Sequence, residues 1–147
     1  MYIGRYYHTI EEQGRVAVPV SFRQQLGKTP VVTRGLDGCL FLFAQEEWQV
    51  FIGNIEGAPF TKKTNRDLTR LMANEAAELE LDAQGRVLIP EFLKTYAKLN
   101  KQVVFAGSIN KVEVWDQEQY HAYLESVEGR AEEIAEQFDL PQKGMNA

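Results

Sequence analysis

Residues 10–26 read IEEQGRVAVPVSFRQQL and residues 81–97 read LDAQGRVLIPEFLKTYA, an ungapped match at an offset of 71. The segment QGRV is identical in the two copies, and a proline follows it at the same distance. After a one-residue insertion, residues 31–48 align with residues 103–120 at an offset of 72. The chain is therefore a duplicated unit. Because two copies are fewer than the three or more of a solenoid, we expect them to pair about a pseudo-twofold axis.

Both copies predict the same order of elements. A short strand precedes the QGR turn, and β-branched and apolar residues after it predict a second strand, VAVP or VLIP. A short helix follows, beginning at Pro19 or Pro90, and Gly27 is well placed to end the first of these helices. Apolar segments on both sides of residues 36–38, and of residues 108–110, then predict a hairpin in each copy.

Further helices are predicted outside the shared elements. Apolar residues at helical spacing predict one helix from Trp48 to Ile55 and another from Leu68 to Leu79, which would abut a strand ELELD. The C-terminal segment predicts an acidic amphipathic helix that ends by Pro141 and packs on the body or on a neighbouring subunit. The predicted division is residues 1–55 for the first repeat, 56–78 for a linker and connecting helix, 79–124 for the second repeat, and 125–147 for the acidic helix and tail.

The composition indicates an ordinary globular protein, with 44% apolar and 25% charged residues. The formal charge is −5. Residues 125–147 hold 6 acidic and 2 basic residues, whereas residues 1–124 hold 15 acidic and 14 basic residues. The charge therefore neither supports nor excludes binding to nucleic acid. No apolar run approaches the roughly 18 residues of a membrane span, and the N-terminus has no signal-peptide core, so we expect a cytoplasmic protein.

Enzyme and metal chemistry find little support in the sequence. Cys39 is the single cysteine, which excludes an intrachain disulfide, and its apolar setting CLFLF predicts a buried side chain. His8 and His121 have no partner at recognisable ligand spacing. No Walker loop, dinucleotide fingerprint or nucleophile elbow is present. We therefore expect no catalysis, no cofactor, no metal and no small-molecule substrate.

The two QGR turns are the strongest candidate site. Each places an arginine, Arg15 or Arg86, beside a glycine where two strands meet, with a carboxylate four residues upstream at Glu11 or Asp82. That carboxylate could bridge the turn and fix the direction of the guanidinium. An exposed turn arginine can reach a phosphate or make a bidentate contact to guanine. One such contact contributes roughly 1–3 kcal/mol, so several turns would have to act together.

A structural interpretation of the turns stays open beside the functional one. Gly14 and Gly85 could simply supply the positive φ of a tight turn, with the acid–arginine pair joining its ends. A second basic segment, Lys62 and Lys63 with Arg66 and Arg70, is typical of a solvated linker and helix face, yet it could supply auxiliary phosphate contacts.

The segments GRYYHTIEEQGRVAVPVSFRQQLG and LDAQGRVLIPEFLKTYAKL resemble the two halves of MraZ-family proteins, and the resemblance covers roughly residues 2–124. The shared motif is D-x-x-x-R, once in each half, and its duplication at this spacing makes it specific. The resemblance implies an α+β fold in which two tandem SpoVT-AbrB-type repeats interlock as a swapped-hairpin β-barrel with flanking helices.

The same resemblance implies a function. It implies a DNA-binding transcriptional regulator, associated with the nucleoid as a ring-shaped homo-oligomer, that represses or otherwise controls the division and cell-wall gene cluster through short direct repeats in its promoter. It places the family arginines at Arg15 and Arg86, the turn-shaping glycines at Gly14 and Gly85, and the family acid at Asp82.

Two residues extend or depart from the family pattern. Glu11 stands where the family has aspartate, and its extra methylene keeps the charge but loosens the geometry. Arg5 could extend the basic surface. If neighbouring subunits follow one face of the duplex, the repeats should lie about one helical turn apart, roughly 10 base pairs. The alternatives are a MazE-like antitoxin whose acidic tail binds a toxin, and an oligomeric scaffold without DNA function.

Overall fold

A computed structural model describes residues 1–138 of the chain. The chain divides into a compact unit over Met1–Gln117 and a second unit that begins at Glu118. The described residues hold eight strands and six helices. These are β1 (Arg5–Thr9), β2 (Arg15–Ala17), α1 (Val20–Leu26), β3 (Val31–Arg34), β4 (Leu40–Phe43), α2 (Gln45–Glu56), α3 (Lys63–Ala73), β5 (Ala77–Glu78), β6 (Arg86–Leu88), α4 (Glu91–Tyr96), β7 (Gln102–Gly107), β8 (Val112–Asp116), α5 (Gln117–Glu128) and α6 (Ala131–Gln137).

The predicted helices and hairpins of both copies are confirmed with small shifts at their ends. Pro19 and Pro90 are the N-cap residues of α1 and α4, one position before each helix begins. Gly27 ends α1 at φ +78°, and its N–H donates to the carbonyl of Arg23 at 3.0 Å. The equivalent Lys98 also has a positive φ, +54°. Each copy therefore has a residue at positive φ at the aligned position after its short helix.

Strand pairing follows the sequence repeat. β2 pairs with β6 in a register that places Val16 opposite Val87, and these two residues are equivalent at the offset of 71. β4 pairs with β8 in a register that places Phe41 opposite Glu113, which are equivalent at the offset of 72. Two equivalent residues face each other in both pairs, so the expected pseudo-twofold relation between the copies is confirmed.

The α+β class is confirmed, whereas the closed barrel is not found in residues 1–138. Six strands form an open antiparallel sheet in the order β1-β7-β8-β4-β3-β5, and β2 with β6 forms a separate two-stranded ribbon. Closure would require β1 to pair with β5, but these strands lie at opposite edges of the sheet, paired with β7 and β3. Instead, one core joins ribbon, sheet and short helices, and it includes Val16, Val18, Phe22, Leu26, Leu40, Leu42, Val87, Ile89, Leu93, Val103, Phe105 and Val114.

The connecting helix ends earlier than its apolar spacing predicts. α3 stops at Ala73, so the prediction that Ala76 and Leu79 belong to it is wrong. The chain instead enters β5, which pairs with β3, and the N–H of Leu79 donates to the carbonyl of Pro30 at 2.8 Å. Pairing along the free edge of β3 satisfies these backbone groups and outweighs the helical period. Of the predicted strand ELELD, only Glu78 lies in β5.

The second unit contains the last two helices as far as residue 138. The predicted continuous helix is wrong, because α5 and α6 are separated at Gly129 and Arg130. Phe138 has an extended backbone and follows α6. The predicted end at Pro141 lies outside the described residues. Up to residue 138, no helix is both long and apolar enough to cross a membrane.

Candidate nucleic-acid interface

The two-stranded ribbon of β2 and β6 places both turn arginines on one face. Val16 and Val87 are fully buried in the core, and side chains alternate across a strand. Arg15 and Arg86 therefore lie on the opposite, partly exposed face of the ribbon. Because Arg15 is directly opposite Leu88, the two arginines begin opposite ends of a three-residue ladder. The fold thus brings together the two arginines that the sequence places 71 residues apart.

The second turn holds its arginine tightly. Gly85 has φ +76°, and its N–H donates to the carbonyl of Asp82 at 2.9 Å. One oxygen of the Asp82 carboxylate accepts the backbone N–H groups of Gln84 and Arg86, and the other accepts Nε–H of Arg86, each at 2.9 Å. The backbone N–H of Arg86, followed by its guanidinium, lowers the pKa of Asp82. The predicted acid–arginine bridge is therefore confirmed in this copy.

The first turn has the same backbone but a different ion pair. Gly14 has φ +85° and donates its N–H to the carbonyl of Glu11 at 2.8 Å. The Glu11 carboxylate does not bridge to Arg15, so the bridge expected in this copy is not formed. It accepts Nη1–H of Arg86 at 2.8 Å instead. Across residues 1–138, the Arg15 guanidinium has no hydrogen bond or ion pair.

Two further cations lie at the turns, and the site predicted from the sequence omits them. A side chain at Gly85 would overlap the guanidinium of Arg23, which donates Nε–H to the carbonyl of Val18 at 2.7 Å. At Gly14, the equivalent Cβ would lie 3.8 Å from Nζ of Lys94. Each helix therefore brings a cation to the turn of the other copy. The signal was present in the repeat, because residues 23 and 94 align as a basic pair.

Open grooves flank the two turns and differ in charge. The groove beside the second turn has a volume of about 770 Å³, and its charged lining residues are Arg23, Lys28 and Asp82. The groove beside the first turn, about 400 Å³, has Glu12, Glu91, Lys94 and Lys101 as its charged lining residues. The surroundings of the second turn are therefore net basic, whereas those of the first are balanced.

Other basic residues lie away from the ribbon. Arg5 is exposed at the start of β1 and therefore belongs to the six-stranded sheet. In the segment around α3, Arg66 donates to the carbonyls of residues 60 and 61, and Asp67 pairs with both Lys63 and Arg70. These contacts favour the interpretation of that segment as a solvated helix face.

Cys39 and His8 both pack against apolar surroundings. Cys39 is fully buried, and burial raises the pKa of its thiol. His8 packs edge to face on Phe105, and burial, with the nearby charge of Arg23, lowers the pKa of its imidazole. In the part of the chain that the structure describes, no group of three or more His, Cys, Asp or Glu side chains could hold a metal ion.

Comparison with known proteins agrees with the duplicated architecture. The family model described as "MraZ protein, putative antitoxin-like" matches residues 1–71 and again residues 72–140. The chain belongs to the MraZ family.

Relatives with the name "Transcriptional regulator MraZ" match over nearly their full length. The relative from Carboxydothermus hydrogenoformans is 47% identical over 94% of this chain and 96% of its own. The relative from Ligilactobacillus salivarius is 43% identical over 95% of this chain and all of its own. A third relative, from Caldanaerobacter subterraneus subsp. tengcongensis, is 43% identical over 95% of this chain and 97% of its own. The boundary between the two MraZ matches falls within α3, close to where the second copy begins.

Proposed function

We propose that this chain is a sequence-specific transcriptional regulator that binds double-stranded DNA through the two arginine turns. The observation that carries the proposal is the ribbon face on which Arg15 and Arg86 lie together, each preceded by a glycine at positive φ. Asp82, Glu11 and the glycines shape the turns rather than contact bases. The names of the relatives, which are transcriptional regulators, support this function.

The DNA major groove is the binding site that we propose for the ribbon. That groove admits a two-stranded β-ribbon, and arginine is its commonest base-specific ligand. Contacts from one subunit contribute only a few kcal/mol, so regulator-grade affinity requires several subunits on successive repeats. We propose a ring-shaped homo-oligomer for this purpose. Exposed apolar side chains in the first unit support such an interface, among them Val20, Leu36, Phe92 and Ile109.

The finer fold and the cellular role form part of the same proposal. The strand before each turn pairs with the hairpin of the other copy, β1 with β7 and β5 with β3, which supports an open variant of the swapped-hairpin arrangement. We retain the division at residues 55, 78 and 124, with an acidic segment after it. The protein acts in the cytoplasm, on the nucleoid, as a repressor of the division and cell-wall gene cluster, and Arg5 adds to its basic surface.

The test is fluorescence anisotropy with promoter DNA that carries short repeats about 10 base pairs apart. Arg15→Ala and Arg86→Ala should each weaken binding at least about tenfold, since the same arginine is removed from several subunits at once. Removing one arginine–phosphate interaction should also lower the log–log salt slope by about 0.9. Arg70→Ala is the matched control, because Arg70 forms a surface pair with Asp67, and it should bind within about twofold of wild type.

Two results would count against the proposal. If Arg15→Ala and Arg86→Ala keep the wild-type circular dichroism spectrum and bind as tightly as wild type, the arginines only join the ends of the turns. If light scattering finds a monomer at concentrations where DNA is bound, the ring is wrong and avidity cannot supply the affinity.

One finding favours a second candidate, an antitoxin. The family description contains the words "antitoxin-like", and the described part of the C-terminal segment holds Glu125, Glu128, Glu132, Glu133 and Glu136. An antitoxin should be isolated from its native source with a second chain in stoichiometric amount, and that chain should be lost when residues 125–147 are deleted. Isolation as a homo-oligomer would exclude this candidate.

A further inference from the structure

The two turn arginines differ in how many N–H donors remain available. The Arg86 guanidinium donates Nε–H to Asp82 and Nη1–H to Glu11. Among the described residues, its Nη2 has no hydrogen-bond partner. Arg15 keeps all five of its donors, since no residue in the described range accepts any of them.

This difference favours a different contact for each arginine. A bidentate contact to guanine uses two guanidinium nitrogens, which Arg15 can supply at once. Arg86 keeps three N–H donors, two on Nη2 and one on Nη1, but a bidentate contact through both nitrogens would use Nη1 while it also donates to Glu11. Its Nη2 alone can donate to a single phosphate oxygen. Arg23 and Lys28 line the groove beside this turn and offset the two carboxylates. The second turn is therefore better suited to a backbone phosphate than to a base.

Glu11 creates the difference between the turns. Asp82 bridges to the arginine of its own turn, but Glu11 reaches across the ribbon to Arg86. Arg86 has the small Ala17 directly opposite, whereas Arg15 has the larger Leu88 opposite, which leaves more room beside Arg86 for a contact across the ribbon. The Glu11–Arg86 pair is 41% and 29% exposed, and such pairs add little stability. Its effect is to orient one guanidinium and to leave the other unpaired.

On the basis of the function proposed above, we propose that the two turns make different contacts with DNA. Arg15 reads a base edge by a bidentate contact, and Arg86 contacts a backbone phosphate. Glu11 is the positioning residue that separates these two roles.

The first test compares Arg15→Lys with Arg86→Lys on two DNAs of equal length, one with the promoter repeats and one with the repeats scrambled. Lysine keeps the charge but cannot make the bidentate contact. Arg15→Lys should lower the ratio of specific to non-specific affinity at least about tenfold. Arg86→Lys should weaken binding to both DNAs by the same few-fold factor and leave the ratio unchanged.

The second test compares Glu11→Gln with Glu12→Gln, adjacent exposed residues that lose the same charge. Glu11→Gln removes the charge of the Glu11–Arg86 pair and should weaken its hold on Nη1, raise affinity for the scrambled DNA and lower the specificity ratio at least about threefold. Glu12→Gln should change both affinities equally. Without DNA, the ¹⁵N-detected signal of Arg86 Nε–H should shift in Glu11→Gln and not in Glu12→Gln.

The outcomes separate this inference from the function on which it rests. Suppose that the wild type binds the repeats specifically. If both lysine variants lower the specificity ratio by the same factor, or if Glu11→Gln leaves that ratio unchanged, the division of roles is wrong, but the proposed DNA binding is unaffected. If the wild type does not distinguish the two DNAs, the proposed function fails and the division of roles fails with it.

Discussion

The two QGR turns share a backbone but not a set of charge partners. In both turns, the glycine lies at positive φ. The backbone N–H of the acidic residue donates to the carbonyl of the arginine, from Glu11 at 2.8 Å and from Asp82 at 2.9 Å. Asp82 then bridges to its own arginine, and Glu11 bridges to the arginine of the other copy. The two copies therefore share the turn but differ in the arginine that the carboxylate binds.

The glycines of the two turns also have different surroundings. Gly85 is buried beneath the guanidinium of Arg23, and a side chain there would overlap it. Gly14 is only partly buried, and its Cβ would lie 3.2 Å from Cδ1 of Leu88. The second turn is thus the more tightly packed of the two, and we expect it to tolerate change less well.

The largest expected effect is on folding stability at the glycines. Gly85→Ala should lower the free energy of unfolding by about 2–3 kcal/mol, because alanine at positive φ costs about 1–2 kcal/mol and the displaced Arg23 loses its hydrogen bond to Val18. Gly14→Ala should cost about 1–2 kcal/mol for the backbone, because the exposed Leu88 side chain can move away from the new methyl group. Urea denaturation measures both values. Equal losses would show that Arg23 moves away without cost and that the turns are packed alike.

A smaller effect should separate the two carboxylates in acid. The pKa of Asp82 lies below its unfolded value, mainly because the backbone N–H of Arg86 stabilises the carboxylate. Its contribution to stability is therefore complete above about pH 4 and is lost as the pH falls through the folded-state pKa.

Thermal unfolding from pH 2 to pH 7 measures this contribution. Asp82→Asn should lower the melting temperature at neutral pH. Below pH 4, the melting temperature of this variant should fall less steeply with pH than that of the wild type. Glu11→Gln should leave both almost unchanged, because its carboxylate accepts one exposed hydrogen bond rather than three. A flattening of similar size in both variants would mean that Glu11 and Asp82 hold Arg86 equally.

The features that sequence could predict are local or repeated. The QGRV match, the alternation of the strands and the position of Gly27 predict the unit, its hairpins and the pairing of the copies, because each depends on neighbouring residues or on direct comparison. The acid–arginine bridge at Asp82 and Arg86 was predictable for the same reason, since donor and acceptor are four residues apart.

The features that sequence could not predict depend on pairing between distant segments. The apolar spacing of α3 continues to Leu79, but the free edge of β3 captures the backbone from Ala77 onward. Closure of the sheet depends on whether its two edges meet, which no local pattern encodes. The partner of Glu11 was missed because Arg86 is 75 residues away and a four-residue spacing pointed to Arg15.

The smallest expected effect lies at the hairpin tips, where each copy has one residue at positive φ at the same aligned position. Asp37 has φ +62° and the equivalent Ile109 has φ +73°. Aspartate tolerates this region, but a β-branched residue is strained there. Ile109 is exposed, so its removal sacrifices little apolar burial. Ile109→Gly should therefore raise the free energy of unfolding by about 0.5–1 kcal/mol. This net gain is the strain that is relieved, reduced by the greater conformational entropy of glycine in the unfolded chain.

Asp37→Gly is the matched variant, and it should change the free energy of unfolding by less than about 0.5 kcal/mol. Urea denaturation of both variants tests the difference. A loss of stability in Ile109→Gly would mean that the isoleucine side chain packs favourably, and an exposed apolar residue gains such packing when a second subunit covers it. Repeating the measurement at several protein concentrations distinguishes that case, because a loss that depends on concentration places Ile109 in the oligomer interface.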